Sequence, residues 1–129
     1  IRNPFIEDRA WQFTRHIDEI KAQEICDRIV GKKDFAAFMA SGSKIVDTVR
    51  EIKYCKICRE GDEIILTIAA DGFLYNMVRI IAGTVAEMAS GTELPDIEEI
   101  INSKDRSKAG TTAPAKGLTL NRVFYNFEF

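Results

Sequence analysis

The chain reads as an α+β domain, an antiparallel sheet with helices packed on one face, and three observations carry that reading. Apolar residues recur at helical spacing in two long stretches, residues 17–30 and 74–90. Two segments rich in β-branched and aromatic residues, 48–58 and 63–70, flank Glu60-Gly61-Asp62, the arrangement of a hairpin. Strand character returns over 118–129, with Leu118, Leu120 and Phe124 on one face and Val123, Tyr125 and Phe127 on the other.

Taken in order, Arg9-Ala10-Trp11-Gln12-Phe13-Thr14 alternates large apolar with polar side chains and suggests a short edge strand. Ile17, Ile20, Ile25, Cys26 and Ile29 then mark an amphipathic helix, with Asp18 and Glu19 in its first turn and Gly31 as its stop. Asp34 is placed to cap a short turn through residues 35–39, and Ser41-Gly42-Ser43 breaks the chain. In the second hairpin strand, Ile64, Leu66, Ile68 and Ala70 share one face. A long helix follows and ends near Ser90-Gly91, and Pro95 opens a short one over 95–101 with an acidic first turn. Residues 103–117 carry no apolar period, and such a long irregular stretch in a compact domain is usually functional or disordered. The sum is three or four strands with two longer helices on one face, leaving the other face for another domain or a ligand.

The long helix holds the one local anomaly. Leu74, Met77, Val78, Ile81, Val85 and Met88 form its core stripe, while Tyr75, Arg79, Ala82 and Ala86 form a second, with Gly83 beside it. An arginine on a largely buried helix needs a carboxylate or a cleft, because an unpaired buried charge is costly. Asp71 and Glu87 are the nearby candidates for an internal ion pair.

At 129 residues and 46% hydrophobic, the chain suits one domain, residues 1–129. No apolar run is long enough to span a membrane and nothing resembles a signal peptide. The opening at Ile1 reads like the middle of a longer protein. Three cysteines without framework spacing point to reduced thiols and a cytoplasmic setting. Cys55 and Cys58 lie three apart on a strand, facing opposite ways, and no second pair or nearby histidine completes a metal site, so none is expected. Ser41-Gly42-Ser43-Lys44 lacks the spaced glycines of a phosphate loop. Net charge is only −2, yet residues 103–122 hold five basic residues against one acidic, a segregation that suits a polyanion. No residue set forms a self-sufficient active site.

Two long motifs point further. Asp71-Gly72-Phe73-Leu74-Tyr75-Asn76-Met77-Val78-Arg79-Ile80-Ile81-Ala82-Gly83, followed by Ser103-Lys104-Asp105-Arg106-Ser107-Lys108-Ala109-Gly110-Thr111-Thr112-Ala113-Pro114-Ala115-Lys116-Gly117-Leu118, resembles the C-terminal half of the TruA family of tRNA pseudouridine synthases. Asp34-Phe35-Ala36-Ala37-Phe38, Ser41-Gly42-Ser43, Val49-Arg50 and Arg2-Asn3-Pro4-Phe5 are similar to that family as well, so the resemblance covers nearly the whole chain.

The resemblance implies one half of a pseudouridine synthase-like fold, isomerising uridine to pseudouridine in the anticodon arm of tRNA without metal or organic cofactor. The family's catalytic aspartate, on an Arg-Thr-Asp-Ala-Gly type motif of the N-terminal half, and its active-site tyrosine have no counterpart here, so the chain alone is expected to be inactive. Arg79 matches the family's arginine opposite that carboxylate, where a guanidinium lowers the carboxyl pKa and fixes its orientation. Leu118 matches the family's apolar residue beside the target base, and Tyr75, one turn before Arg79, is expected on the same wall. Lys104, Arg106, Lys108 and Lys116 are expected phosphate contacts, with Arg50 a further RNA contact or a member of an internal pair. The implied partners are tRNA, the N-terminal half of the same protein and a second copy in a homodimer. A non-catalytic RNA-binding module of similar fold is the alternative. In the isolated domain Arg79 is expected to face solvent or a substitute anion.

Overall fold

The structure, a computed structural model, describes residues 16–40, 45–60, 63–114 and 123–125. In chain order these form α1 (Glu19–Ile29), β1 (Gly31–Asp34), a 3₁₀ turn (Ala36–Phe38), β2 (Val49–Glu60), β3 (Glu63–Ala70), α2 (Met77–Ala89), α3 (Ile97–Ser103), a second 3₁₀ turn (Arg106–Lys108) and β4 (Val123–Tyr125). The proposed strand over 9–14, the Ser41-Gly42-Ser43 break and the Gly61-Asp62 turn lie outside the described residues, as do Lys116 and Leu118.

The sheet order is β1-β2-β3-β4. β2 and β3 pair antiparallel, as the hairpin composition predicts, β1 joins β2 antiparallel, and β4 departs from the expected antiparallel order by pairing parallel to β3. Between Ile52 and Tyr54 the β2–β3 register shifts, so that Lys53 is an extra residue on β2. This bulge lets Ile52 and Cys55, three apart, both enter the core, whereas regular pairing from Cys55 to Cys58 leaves Cys58 exposed. β1 was not anticipated. Its Gly-Lys-Lys-Asp sequence has no strand pattern, and it becomes a strand by pairing with residues 49–52 of β2.

Both long helices cover one sheet face. Ala22, Ile25, Cys26 and Ile29 of α1 and Met77, Ile80, Ile81 and Val85 of α2 meet Ile52, Cys55, Ile68 and Ala70 in a single core. Ile80, outside the stripe expected from sequence, is fully buried, and Val78 and Met88, within it, are only partly buried. On the opposite sheet face Ile65 and Ala69 are buried apart from this core.

Local chemistry sets the ends. Asp18 caps α1 by accepting from the Ile20 and Lys21 amides at 3.0 and 3.2 Å. α2 stops at Ala89, and Gly91 just beyond it takes a φ of +101°, which suits glycine, with the Gly91 amide bonded to the Met88 carbonyl and the Thr92 amide to that of Glu87. Beyond its pairing with β1, no other described strand covers that edge of β2. Gln23 of α1 closes part of it, accepting from the Ile57 amide at 2.7 Å and donating to the Cys55 carbonyl at 3.2 Å. The Cys55 thiol is held strongly protonated, first by its hydrogen bond with Cys26 and then by burial.

Candidate functional site

The site is built where α2 meets the segment after α3. Asn76 precedes α2 in the left-handed conformation, φ +61°, which asparagine tolerates better than most residues. Its side chain makes no capping bond to the helix amides. Instead its Oδ1 accepts from Arg79 Nη1 at 3.0 Å. Arg79 Nε donates to the Ala113 carbonyl at 2.8 Å, and the Ala113 amide returns a bond to the Arg79 carbonyl at 3.0 Å.

Residues 109–113 thus lie along α2 as a strap, and the irregular sequence is ordered by helix side chains. The Gly110 amide donates to Thr84 Oγ1 at 2.9 Å, a buried bond, and the Thr111 amide donates to Glu87 Oε1 at 2.8 Å. Gly83 makes the seat possible: a Cβ there would stand 1.8 Å from the Thr111 carbonyl oxygen. Gly83, beside the second stripe of α2, receives this chain. The amides of Gly110, Thr111 and Ala113 find acceptors without a strand ladder, which is why no period announces them.

Both internal carboxylates once eligible to pair with Arg79 are otherwise occupied. Asp71 Oδ1 accepts from the Glu51 amide at 2.9 Å, and Glu87 holds Thr111. Among the described residues no carboxylate lies within ion-pair distance of Arg79, which is half-buried and fixed on two sides. Tyr75, one turn earlier, is 64% exposed, and its carbonyl accepts from the Ala40 amide at 3.1 Å.

The basic residues separate by environment. Lys104 takes the left-handed position that ends α3 and approaches Asp34 Oδ2 at 3.7 Å. Asp34 is held below the usual carboxylate range by the Thr48 hydroxyl first, then by the Ala36 amide and Lys104. Lys108 is exposed, near Asp105, whose carboxyl is lowered chiefly by the Ser107 hydroxyl and amide. Arg106 is half-buried and turned into its own loop, Nη1 donating to the Gly110 carbonyl and Nη2 to Thr112 Oγ1, each at 2.9 Å. Arg50 sits at the start of β2, where Nη1 donates to the Asp47 and Val49 carbonyls and the side chain passes over Gly72.

Arg79, Asn76, Ala113 and Arg106 are therefore linked by one set of bonds, with Lys104 and Arg50 apart from it. Sequence reasoning missed Asn76, Thr84 and the inward turn of Arg106, and it offered Glu87 to Arg79 where the structure gives it to the Thr111 amide. Asn76 stands three residues before Arg79, a helical-neighbour spacing that was available as a signal. The direction of a guanidinium was not.

A family model described as tRNA pseudouridine synthase matches residues 25–126 of this chain. The chain is 49% identical over 104 residues to tRNA pseudouridine synthase A of Syntrophomonas wolfei, covering 80% of this chain and 42% of that protein. Identity is 43% over 117 residues with tRNA pseudouridine synthase A of Clostridium kluyveri, covering 90% and 48%. With the same enzyme of Geotalea uraniireducens it is 39% over 125 residues, covering 96% and 51%. The chain spans about half the length of the curated relatives it matches.

Proposed function

The chain belongs to the tRNA pseudouridine synthase family, and from that premise we propose that it forms one wall of an active site that isomerises uridine to pseudouridine in the anticodon stem-loop of tRNA. The observation that carries this reading is the state of Arg79, a half-buried guanidinium held by Ala113 and Asn76 with no carboxylate partner among the described residues. Such a group is prepared to receive an anion from outside. The anion proposed is the nucleophilic aspartate of an N-terminal half of the same protein. Pairing keeps that carboxylate ionised in a water-poor cleft and aims it at the nucleoside.

The reaction exchanges the N1–C1′ bond of uridine for a C5–C1′ bond; the C5 proton is released and the freed N1 takes one up. Substrate and product are isomers and no electrons enter or leave, so no redox partner is needed, and the family resemblance implies that neither metal nor organic cofactor takes part. The target base leaves its stack to reach a cleft between two domains. Tyr75 and Leu118 line the wall on which the base rests. Lys104, Lys108, Lys116 and Arg50 neutralise phosphates, whereas Arg106, expected from sequence to do the same, commits its guanidinium to the Gly110 carbonyl and Thr112 Oγ1 of its own loop. In full length the enzyme acts as a cytoplasmic homodimer, and the segment 1–129 alone is inactive.

The test is release of tritium from tRNA carrying [5-³H]uridine. The full-length protein should release it, and the segment 1–129 should not. Tight tRNA binding by the full-length protein without tritium release would instead support a non-catalytic RNA-binding module.

A further inference from the structure

The guanidinium of Arg106 lies at the foot of the strap. Its Nη1–Nη2 edge is taken by two acceptors two residues apart, the Gly110 carbonyl and Thr112 Oγ1, both at 2.9 Å. The residue after Thr112 is Ala113, whose carbonyl receives Arg79 Nε at 2.8 Å. Two arginines are thereby joined through four residues of backbone. The helix side of that backbone is fixed by the Thr84, Glu87 and Arg79 bonds, and the loop side by Arg106.

We infer that Arg106 is a positioning residue, which sets the Ala113 carbonyl and through it the direction of the Arg79 guanidinium; the inference rests on the proposed role of Arg79. Three further tethers hold the strap, so losing Arg106 loosens it without removing it from α2. A planar fork is required to meet both acceptors at once, and a lysine ammonium carries the charge without the fork. A misplacement of Arg79 by a fraction of an ångström weakens its pairing with a carboxylate in the transition state, and it leaves contacts to phosphate alone.

The experiment uses the full-length enzyme with tRNA, measuring single-turnover rate at saturating enzyme, dissociation constant and its salt dependence for Arg106→Lys, Arg106→Gln, Thr112→Val, Arg79→Ala and the Arg79→Ala/Arg106→Gln pair. Arg106→Lys and Arg106→Gln should both slow turnover about ten- to hundred-fold, with dissociation constants within about two-fold and an unchanged salt slope. Thr112→Val, which deletes one acceptor and no charge, should slow turnover in the same direction. In the Arg79→Ala background Arg106→Gln should add little, because both act on one interaction.

Full activity of Arg106→Lys with a salt slope reduced by about 1 in Arg106→Gln would overturn the inference in favour of a phosphate contact. So would an undiminished effect of Arg106→Gln in the Arg79→Ala background. If Arg79→Ala itself turns over normally, the proposed role of Arg79 fails, whatever Arg106 does. If Arg106→Gln does not fold, Thr112→Val and Arg106→Lys decide between the same outcomes.

Discussion

Helices α1 and α2 rest on the same sheet face, yet they are held by different physics. α1 buries one stripe, Ala22, Ile25, Cys26 and Ile29, and turns Lys21, Glu24 and Arg28 to water. α2 is covered on two sides. Its core stripe meets the sheet, while Gly83, Thr84 and Ala86 are buried on the side that carries the strap. A helix with one covered face needs only the periodicity of its apolar residues. A helix with two needs a second partner, and here that partner delivers the Ala113 carbonyl to Arg79. The difference separates a scaffold helix from one that builds a site.

The sharpest way to break the contrast is Gly83→Ala. A Cβ placed 1.8 Å from the Thr111 oxygen and 2.8 Å from its carbonyl carbon forces backbone apart. A loss of about 3 kcal/mol is expected, as for overpacked cores. Denaturant titration measures it, and faster hydrogen exchange at Gly110, Thr111 and Ala113 would place the damage in the strap.

Thr84→Val keeps the shape and removes the acceptor of the buried Gly110 amide. The stranded N–H should cost about 2 kcal/mol, read from the same titration, with the amide of Gly110 losing protection first. Gln23→Ala is the matching test on α1. It removes a side chain that spans the Ile57 amide and Cys55 carbonyl, at a part-buried edge that water reaches more readily. About 1 kcal/mol is expected, with exchange rising at Ile57 and the strap unaffected.

The smallest effect concerns Asp34, which joins β1 to the start of the basic loop through Lys104. Its folded value lies below the ordinary 3.8, first because of the Thr48 hydroxyl bond. A depressed carboxylate contributes stability that is complete above its unfolded value and is lost as pH falls through the folded one. The difference in denaturation midpoint between the parent and Asp34→Asn should therefore be constant near neutrality and shrink on acidification below 3.8.

Much of the fold was legible in sequence because burial writes a period. The Ile25, Cys26 and Ile29 part of the α1 stripe, the β2–β3 hairpin strands and the glycine stop at Gly91 all follow from side-chain spacing or from a backbone need, whereas Ile20, expected on that stripe, is 75% exposed and Ala22 is buried in its place. β1 was hidden because pairing with β2, rather than its own Gly-Lys-Lys-Asp composition, makes it a strand. Ile52 and Cys55 share a face only through the extra residue Lys53, which no alternation rule anticipates. At the site, Arg79 stood out as a cation on an apolar helix, and its second stripe of small residues was visible without its reason. The strap supplies the reason for Gly83 beside it. Lys104, Arg106 and Lys108 look alike as charges, while the structure gives them three surroundings: a carboxylate neighbour, two acceptors within the loop, and water.

The central claim is that Arg79 is one half of an ion pair completed from outside this chain. Arg79→Ala in the full-length protein tests it most directly, by comparing turnover at saturating tRNA with the tRNA dissociation constant. Turnover should fall on the order of a hundred-fold while the dissociation constant stays within about two-fold, because the lost interaction is with the nucleophile and not with phosphate. A collapse of affinity with turnover at saturation unchanged would contradict it.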